Sequence, residues 1–346
     1  MRKLRVGIIG AGRIGKVHAR TLSQLSAAEA AAITDINPQA AHEAATLGGI
    51  GRVEKDAARI LADPAIDAVL ICSSTDTHAE LIVEAARAGK HIFCEKPIDY
   101  DLARIDCALQ AVEKAGVKLQ IGFNRRFDAN FARVRQAVAS GEIGTPRLLH
   151  IISRDPAPPP LSYIKVSGGL FFDMTIHDFD MARFLIGDEV EEVYAQAAVM
   201  VDPEIGRAGD VDTALTILRF RNGVIGTIDN CRQAAYGYDQ RVEILGSKGS
   251  VATANCYPNQ AVISSGSEVR RDLPLNFFLE RYADSFRAEL QEFVAAVAED
   301  RPILVTGMDA RMPVLMGMAA LRSHREHRPV KLEEVAAKAT AGQPTA

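Results

Sequence analysis

The sequence has no uncharged apolar run long enough to cross a bilayer. Its opening, Met1-Arg-Lys-Leu-Arg, passes directly into Val6-Gly-Ile-Ile, too short for a secretory core, so a cytoplasmic protein is expected. It also lacks an excess of positive charge. Forty Lys and Arg against 44 Asp and Glu give a net charge of −4 and a pI near 6.1. That balance, with no helix-turn-helix pattern, argues against nucleic acid or an anionic membrane as partner. The five cysteines (Cys72, Cys94, Cys107, Cys231, Cys256) form no CxxC pair and have no neighbouring His at ligand spacing. Neither a zinc knuckle nor a disulfide framework is suggested, no metal is expected, and reduced thiols are the reading. What remains is an ordinary globular composition, 48% hydrophobic and 24% charged. At 346 residues the chain is too long for one core and suits two domains.

The N-terminal half reads as alternating strand and helix, hence a parallel sheet. Leu4 to Ile9 is a buried strand, followed at once by Gly10-Ala-Gly-Arg-Ile-Gly15 and a helical pattern through Val17, Leu22 and Leu25. Strand, GxGxxG and helix in that order make a dinucleotide fingerprint. Gly10 allows the tight turn, Gly12 lets backbone approach a pyrophosphate, and Gly15 lets the helix pack on the strand. Arg13 and Ile14 complete the loop, and the helix N-terminus attracts the anion. A second strand, Ala30 to Thr34, ends in Asp35, twenty residues after Gly15. An acid there accepts the ribose hydroxyls and repels a 2′-phosphate, which predicts NAD over NADP.

A third strand, Ala65 to Ile71, ends in the polar loop Cys72-Ser-Ser-Thr-Asp-Thr-His78, at the sheet end where such folds bind ligands. Ser73, Thr75 and His78 are cofactor candidates. His91 to Cys94 leads to Glu95-Lys96-Pro97, in which the proline keeps Lys96 extended and pointed at the cleft, with a bond that can be cis. Asn124, Arg125 and Arg126 stand at the entry of the next helix, open to a polar substrate or to the chain's own carboxylates.

In the C-terminal half, Gly168-Gly169 precedes Leu170-Phe-Phe-Asp-Met-Thr-Ile-His-Asp178. If the segment is one helix running to Gly187, Asp173 and His177 lie one turn apart on one face. The carboxylate can then hold the imidazole in one tautomer while the other ring nitrogen faces a substrate. Taken alone, the pair also reads as a helix-start acid and a packed histidine. Strands and hairpins follow, with a type I′ turn expected at Arg221-Asn222-Gly223 and a capping box at Thr306 and Asp309.

These motifs together resemble the Gfo/Idh/MocA family of NAD(P)-dependent sugar and polyol dehydrogenases. The matching runs are Gly10 to Gly15, Glu95-Lys96-Pro97, Gly122-Phe-Asn-Arg-Arg126 and Gly168 to Asp178, in family order. The runs Ile152 to Pro160 and Tyr236 to Glu243 resemble those of the family's bacterial inositol dehydrogenases. The resemblance implies an α/β Rossmann domain, set at 1–122. It also implies an α+β C-terminal domain with a large, mostly antiparallel open sheet, set at 123–335, with 336–346 a frayed tail. The final helix is allowed to pack back on the Rossmann domain. A homotetramer is implied as well. By position, Lys96 would touch nicotinamide and the reacting hydroxyl, and Asp173 and His177 would relay the proton. Glu95 joins the cofactor set, and Arg126, Arg154, Asp155, Tyr236 and Tyr238 would line the polyol pocket. The expected activity is NAD-dependent oxidation of an inositol hydroxyl. Another inositol isomer, a hexose, or a non-catalytic NAD-binding regulator are the alternatives.

Overall fold

The structure, a computed structural model, describes residues 2–341. The chain divides into two compact units. The first runs to Asn124 and takes in Asp284–Met312 as well; the second comprises Arg125–Ala283 and the chain from Pro313 onward. No helix among the described residues is long and apolar enough to cross a membrane.

In the first unit β1 (Leu4–Ile9), α1 (Arg13–Ser23), β2 (Ala28–Thr34), α2 (Pro38–Gly48), α3 (Ala57–Leu61), β3 (Ala68–Ile71), α4 (Thr75–Arg87), β4 (His91–Cys94), α5 (Leu102–Ala115) and β5 (Leu119–Ile121) alternate as expected. The strands form a parallel sheet in the order β2-β1-β3-β4-β5. Their nearly unbroken apolar sequences follow from burial on both faces. The order reverses between β1 and β3, and such switch points are where doubly wound sheets bind ligands, beyond the carboxyl ends of the strands. Val6, Ile8, Ile33, Leu70 and Phe93 pack with Leu22 of α1 and with Leu290, Phe293 and Val294 of the helix Ala283–Ala298. That helix falls within the stretch 123–335, yet nearly all of it belongs to the first unit. A parallel sheet needs cover on both faces, and the apolar side of this late helix supplies part of it.

The second unit holds α6 (Ala129–Ala139), β6 (Pro146–Arg154), α7 (Leu161–Ile164), α8 (Leu170–Asp173), α9 (Thr175–Ile186), β7 (Val190–Ala198), α10 (Pro203–Arg207), β8 (Thr213–Phe220), β9 (Ile225–Cys231), β10 (Asp239–Gly246), β11 (Ser250–Ala252), β12 (Val262–Ser264), β13 (Val269–Arg271), α11 (Phe278–Arg281) and β14 (Val330–Lys331). Seven strands make a sheet in the order β11-β10-β6-β9-β8-β7-β14, antiparallel except for β6 with β9. Side chains alternate across it, so Leu149, Ile151 and Ile228 are buried while Leu148 and Ile225 stand exposed on the other face. Helix α9 lies against β6 and β9.

The expected frayed tail is also corrected. The helix Leu332–Ala341 takes up 336–341 and packs on β7, within the second unit, while 342–346 lie outside the described residues. The capping box forms: Thr306 N–H donates to Asp309 Oδ2 at 2.9 Å, and Asp309 N–H donates to Thr306 Oγ1 at 3.3 Å. The hairpin at 221–223 is not type I′. Only Gly223 takes a positive φ there (+88°), because Asn222 turns its own Oδ1 onto Val224 N–H (3.1 Å) and stays right-handed.

Candidate active site

In the first unit the candidate residues gather at the glycine loop. Gly10 has φ +102°, and a Cβ on it would lie 2.4 Å from the Cys72 carbonyl carbon. A Cβ on Gly15 would lie 2.1 Å from the Gly10 oxygen, so both positions require glycine. At Gly12 nothing lies within 4 Å of a built Cβ, and this is the open side of the loop. Helix α1 starts there with no side-chain cap and no acid in its first turn, while Arg13 is exposed and Ile14 half-buried. An uncapped helix start facing open space fits a pyrophosphate. Ala11 N–H donates to Asp35 Oδ2 at 2.6 Å and Asn37 N–H to Asp35 Oδ1 at 2.8 Å. The half-buried acid is therefore fixed beside the loop, where a ribose would meet it. These residues fit a bound NAD.

The β3 loop divides its candidates. Ser73 Oγ pairs with Thr77 Oγ1 at 2.6 Å, and Thr75 opens α4. His78, expected among the cofactor contacts, is 1% exposed. Its Nδ1 lies 2.8 Å from the Pro97 oxygen and its Nε2 3.0 Å from the Ser73 oxygen. The ring clips the strand-end loop to the Lys96-Pro97 step, a cis bond, and offers no surface to a cofactor. Glu95 is corrected in the same way, because its carboxylate turns into the core and lies 2.6 Å from His18 Nε2. Lys96, half-buried, stands between these two anchored residues.

In the second unit the candidate residues lie on α8 and α9. Gly168 and Gly169 (φ +80° and +84°) bring the chain into α8, where Leu170 N–H donates to Asp210 Oδ1 at 3.0 Å. The expected single helix is two, divided at Met174 (φ −97°, ψ −61°), with Asp173 closing α8 and His177 in the first turn of α9. Both side chains are half-buried, open enough to meet a substrate. The Tyr163 hydroxyl donates to Asp173 Oδ1 at 2.8 Å and Arg232 Nη1 to Asp173 Oδ2 at 3.2 Å. Arg232, 1% exposed, also lies 3.6 Å from Asp210. Asp155 belongs to this charge cluster. Burial, reinforced by Asp173 and Asp178 and opposed by Arg232 and Arg125, raises its carboxyl to about 7.

Four expected pocket residues bond to the chain's own side chains. Arg126 grips Asp180 through Nε (3.1 and 3.0 Å) and Nη2 (2.6 Å), an intramolecular fork. Its neighbour Arg125 donates to the fully buried Asp178 at 2.6 Å, and Asn230 Nδ2 donates to the same acid at 2.8 Å. The chain's own carboxylates thus take both arginines. Tyr238 is 7% exposed, and its hydroxyl accepts from Arg125 at 3.4 Å. Arg154 shares the Leu148 face of β6 by alternation, where it pairs with Asp229 and donates to the Tyr236 hydroxyl at 3.1 Å. Tyr236 in turn donates to Asp239 Oδ2 at 2.6 Å. That is the face opposite Asn230, which contacts α9 through Thr175 Oγ1 (2.8 Å) and Asp178.

Tyr163, Asp210, Asn230 and Arg232 were not found from sequence. Arg232 had one legible signal: Asp155, Asp173 and Asp178 so close in function require a buried cation.

Residues 4–123 match the oxidoreductase family with an NAD-binding Rossmann fold, and residues 131–252 match the GFO/IDH/MocA C-terminal domain. The chain is 51% identical to a myo-inositol 2-dehydrogenase of Thermotoga maritima over 96% of this chain and 99% of that one. It is 47% identical to an inositol 2-dehydrogenase of Rhizobium meliloti, over 95% and 99%. A crystal structure of myo-inositol dehydrogenase from Lactobacillus casei with NAD(H) and myo-inositol is similar at TM-score 0.86 and 26% identity, covering 95% of this chain and 97% of that one. A glycine loop fitted to NAD and an Asp-His segment fixed by buried arginine thus coincide with matches to both halves, and the chain belongs to the Gfo/Idh/MocA family of oxidoreductases.

Proposed function

We propose that the protein oxidises a secondary hydroxyl of myo-inositol to the 2-keto product, scyllo-inosose. The supporting observation is the half-buried Asp173, held at both oxygens by Tyr163 and Arg232, four residues before the half-buried His177. An acid fixed so firmly can orient an imidazole without itself moving. His177 takes the hydroxyl proton as general base. Lys96, as ammonium, steadies the alkoxide that develops and eases loss of that proton. Bound NAD supplies the hydride acceptor. The inositol assignment rests on the relatives that carry that activity in their names at 47–51% identity.

Two further readings complete the proposal. The exposed face of the second unit's sheet, with Leu148, Leu215, Ile217, Ile225 and Leu245, supports a homotetramer packed through it. The five cysteines are free thiols, which fits the cytoplasm.

The test is a panel of NAD⁺ and NADP⁺ against inositol isomers and hexoses, followed at nicotinamide absorbance. Myo-inositol with NAD⁺ should give the highest kcat/KM. Preference for scyllo-inositol or glucose overturns the substrate, and no turnover with any polyol overturns the enzyme. His177→Ala should lower kcat by about 10²–10⁴-fold while NAD still binds; near-wild-type turnover refutes the general base.

A further inference from the structure

Behind the Glu95-Lys96-Pro97 step lies a group of three ionisable side chains in the core of the first unit. His18 and Glu289 are both 0% exposed, and donor atoms from His18, Glu95 and Glu289 lie within 4.8 Å of one another. His18 is enclosed by the rings of Phe93 (5.2 Å between centroids) and Phe286 (6.0 Å). Neither oxygen of Glu289 has a hydrogen-bond partner among the described residues. The ionisable groups facing the cluster are the Cys72 and Cys94 thiols, and neither adds positive charge. Gln120 reaches only the Glu289 backbone oxygen, at 2.9 Å.

Two carboxylates in such a place need a positive charge, supplied by a proton or a metal ion. Geometry separates the two. Ligands sharing a tetrahedral ion with bonds near 2.1 Å stand about 3.4 Å apart, whereas His18 Nε2 lies 2.6 Å from Glu95 Oε1, a hydrogen-bond length. His18 therefore donates to Glu95, and the second carboxyl needs its own proton.

We propose that Glu289 stands in the folded protein as a neutral carboxylic acid, and that with the His18–Glu95 pair it fixes the backbone at Lys96 from behind. Burial, with repulsion from Glu95 added, pushes the Glu289 carboxyl well above the ordinary carboxylate range. Gly122 belongs to the same device, since a Cβ there would meet the Glu95 carboxylate at 3.0 Å. Glu289 is thus a positioning residue. Its importance for catalysis rests on the role given to Lys96, but its protonation and its hold on the segment do not.

The experiment uses the full-length chain as wild type, Glu289→Gln and Glu289→Leu. An acid with a raised folded-state pKa stabilises the fold below its unfolded value, and this is lost as pH rises toward the folded value. Glutamine cannot ionise, so wild-type Tm should fall by several degrees relative to Glu289→Gln as pH rises from about 5 into the alkaline range. A pH-independent difference overturns the neutral acid. So does a stoichiometric divalent ion in the purified protein that is lost in Glu289→Gln, which would make the cluster a metal site. Amide exchange around Glu95 and Lys96 reads the positioning: Glu289→Leu should speed it at least about tenfold, with Glu289→Gln closer to wild type. Equal exchange in all three overturns it. Neither readout requires turnover, so failure of the polyol panel and failure of this assignment are distinguishable.

Discussion

The proposed preference for NAD over NADP rests on one charge in one place, Asp35. Its carboxylate is held beside the glycine loop by the Ala11 and Asn37 amides, so it cannot swing away from a 2′-phosphate. Asp35→Ser should narrow the ratio of NAD to NADP kcat/KM by about tenfold or more; an unchanged ratio removes Asp35 from the recognition. Asp155 makes a different prediction, in pH. Its carboxyl is raised to about 7, so the folded state holds a proton the unfolded state releases near pH 4. Stability from Asp155 is therefore present below about pH 4 and lost as pH rises through about 7. The urea midpoint of Asp155→Asn should gain on wild type across that window and then level off; a constant offset refutes it. Identity and neighbourhood separate cleanly at this scale. Gly10, Gly15 and Asp35 were legible because their roles depend on local backbone and spacing. Arg126 and Arg154 were not, because a guanidinium seeks whichever carboxylate the fold delivers, and Asp180 and Asp229 lie 54 and 75 residues away.

Among elements, the start of α9 carries the most concentrated polar contacts. Asp178, fully buried, ties it to Arg125 in the turn Asn124–Phe127 and to Asn230 in β9. Removing Arg125 leaves a buried carboxylate uncompensated. Arg125→Met should cost about 3–5 kcal/mol in denaturant unfolding, and the double variant Arg125→Met/Asp178→Leu should recover part of it. A loss below about 1 kcal/mol would match a surface pair instead. Short-range rules read the Thr306–Asp309 cap correctly, since both partners belong to one turn. They misread the 221–223 turn, where Asn222 N–H also donates to Asp188 Oδ2 at 2.8 Å, a tertiary contact 34 residues distant. The break at Met174 has the same origin: contacts from Tyr163, Asp210 and Arg232 fix α8 independently of α9.

At the scale of the whole molecule, the open sheet face has an ordered pattern. Leu245, Leu148 and Ile225 face one another across β10, β6 and β9, with Ile217 and Leu215 beside them on β8. Ile217→Lys should split the assembly into smaller species by light scattering, while a monomeric wild type would refute the tetramer. Alternating apolar residues made the sheet legible, whereas a late helix returning to the first unit was allowed for only through the family resemblance, because the helix's apolar stripe does not say which sheet it covers. The order in which a chain leaves the ribosome gives that return its consequence. Leu4 and Val6 are among the first residues made, yet their core closes only with Leu290, Phe293 and Val294. A fragment ending at Asn124 should therefore show no cooperative unfolding transition. For most of its synthesis the nucleotide-binding half exists as an unfinished surface, and it is the last part of the message that permits the first part to fold.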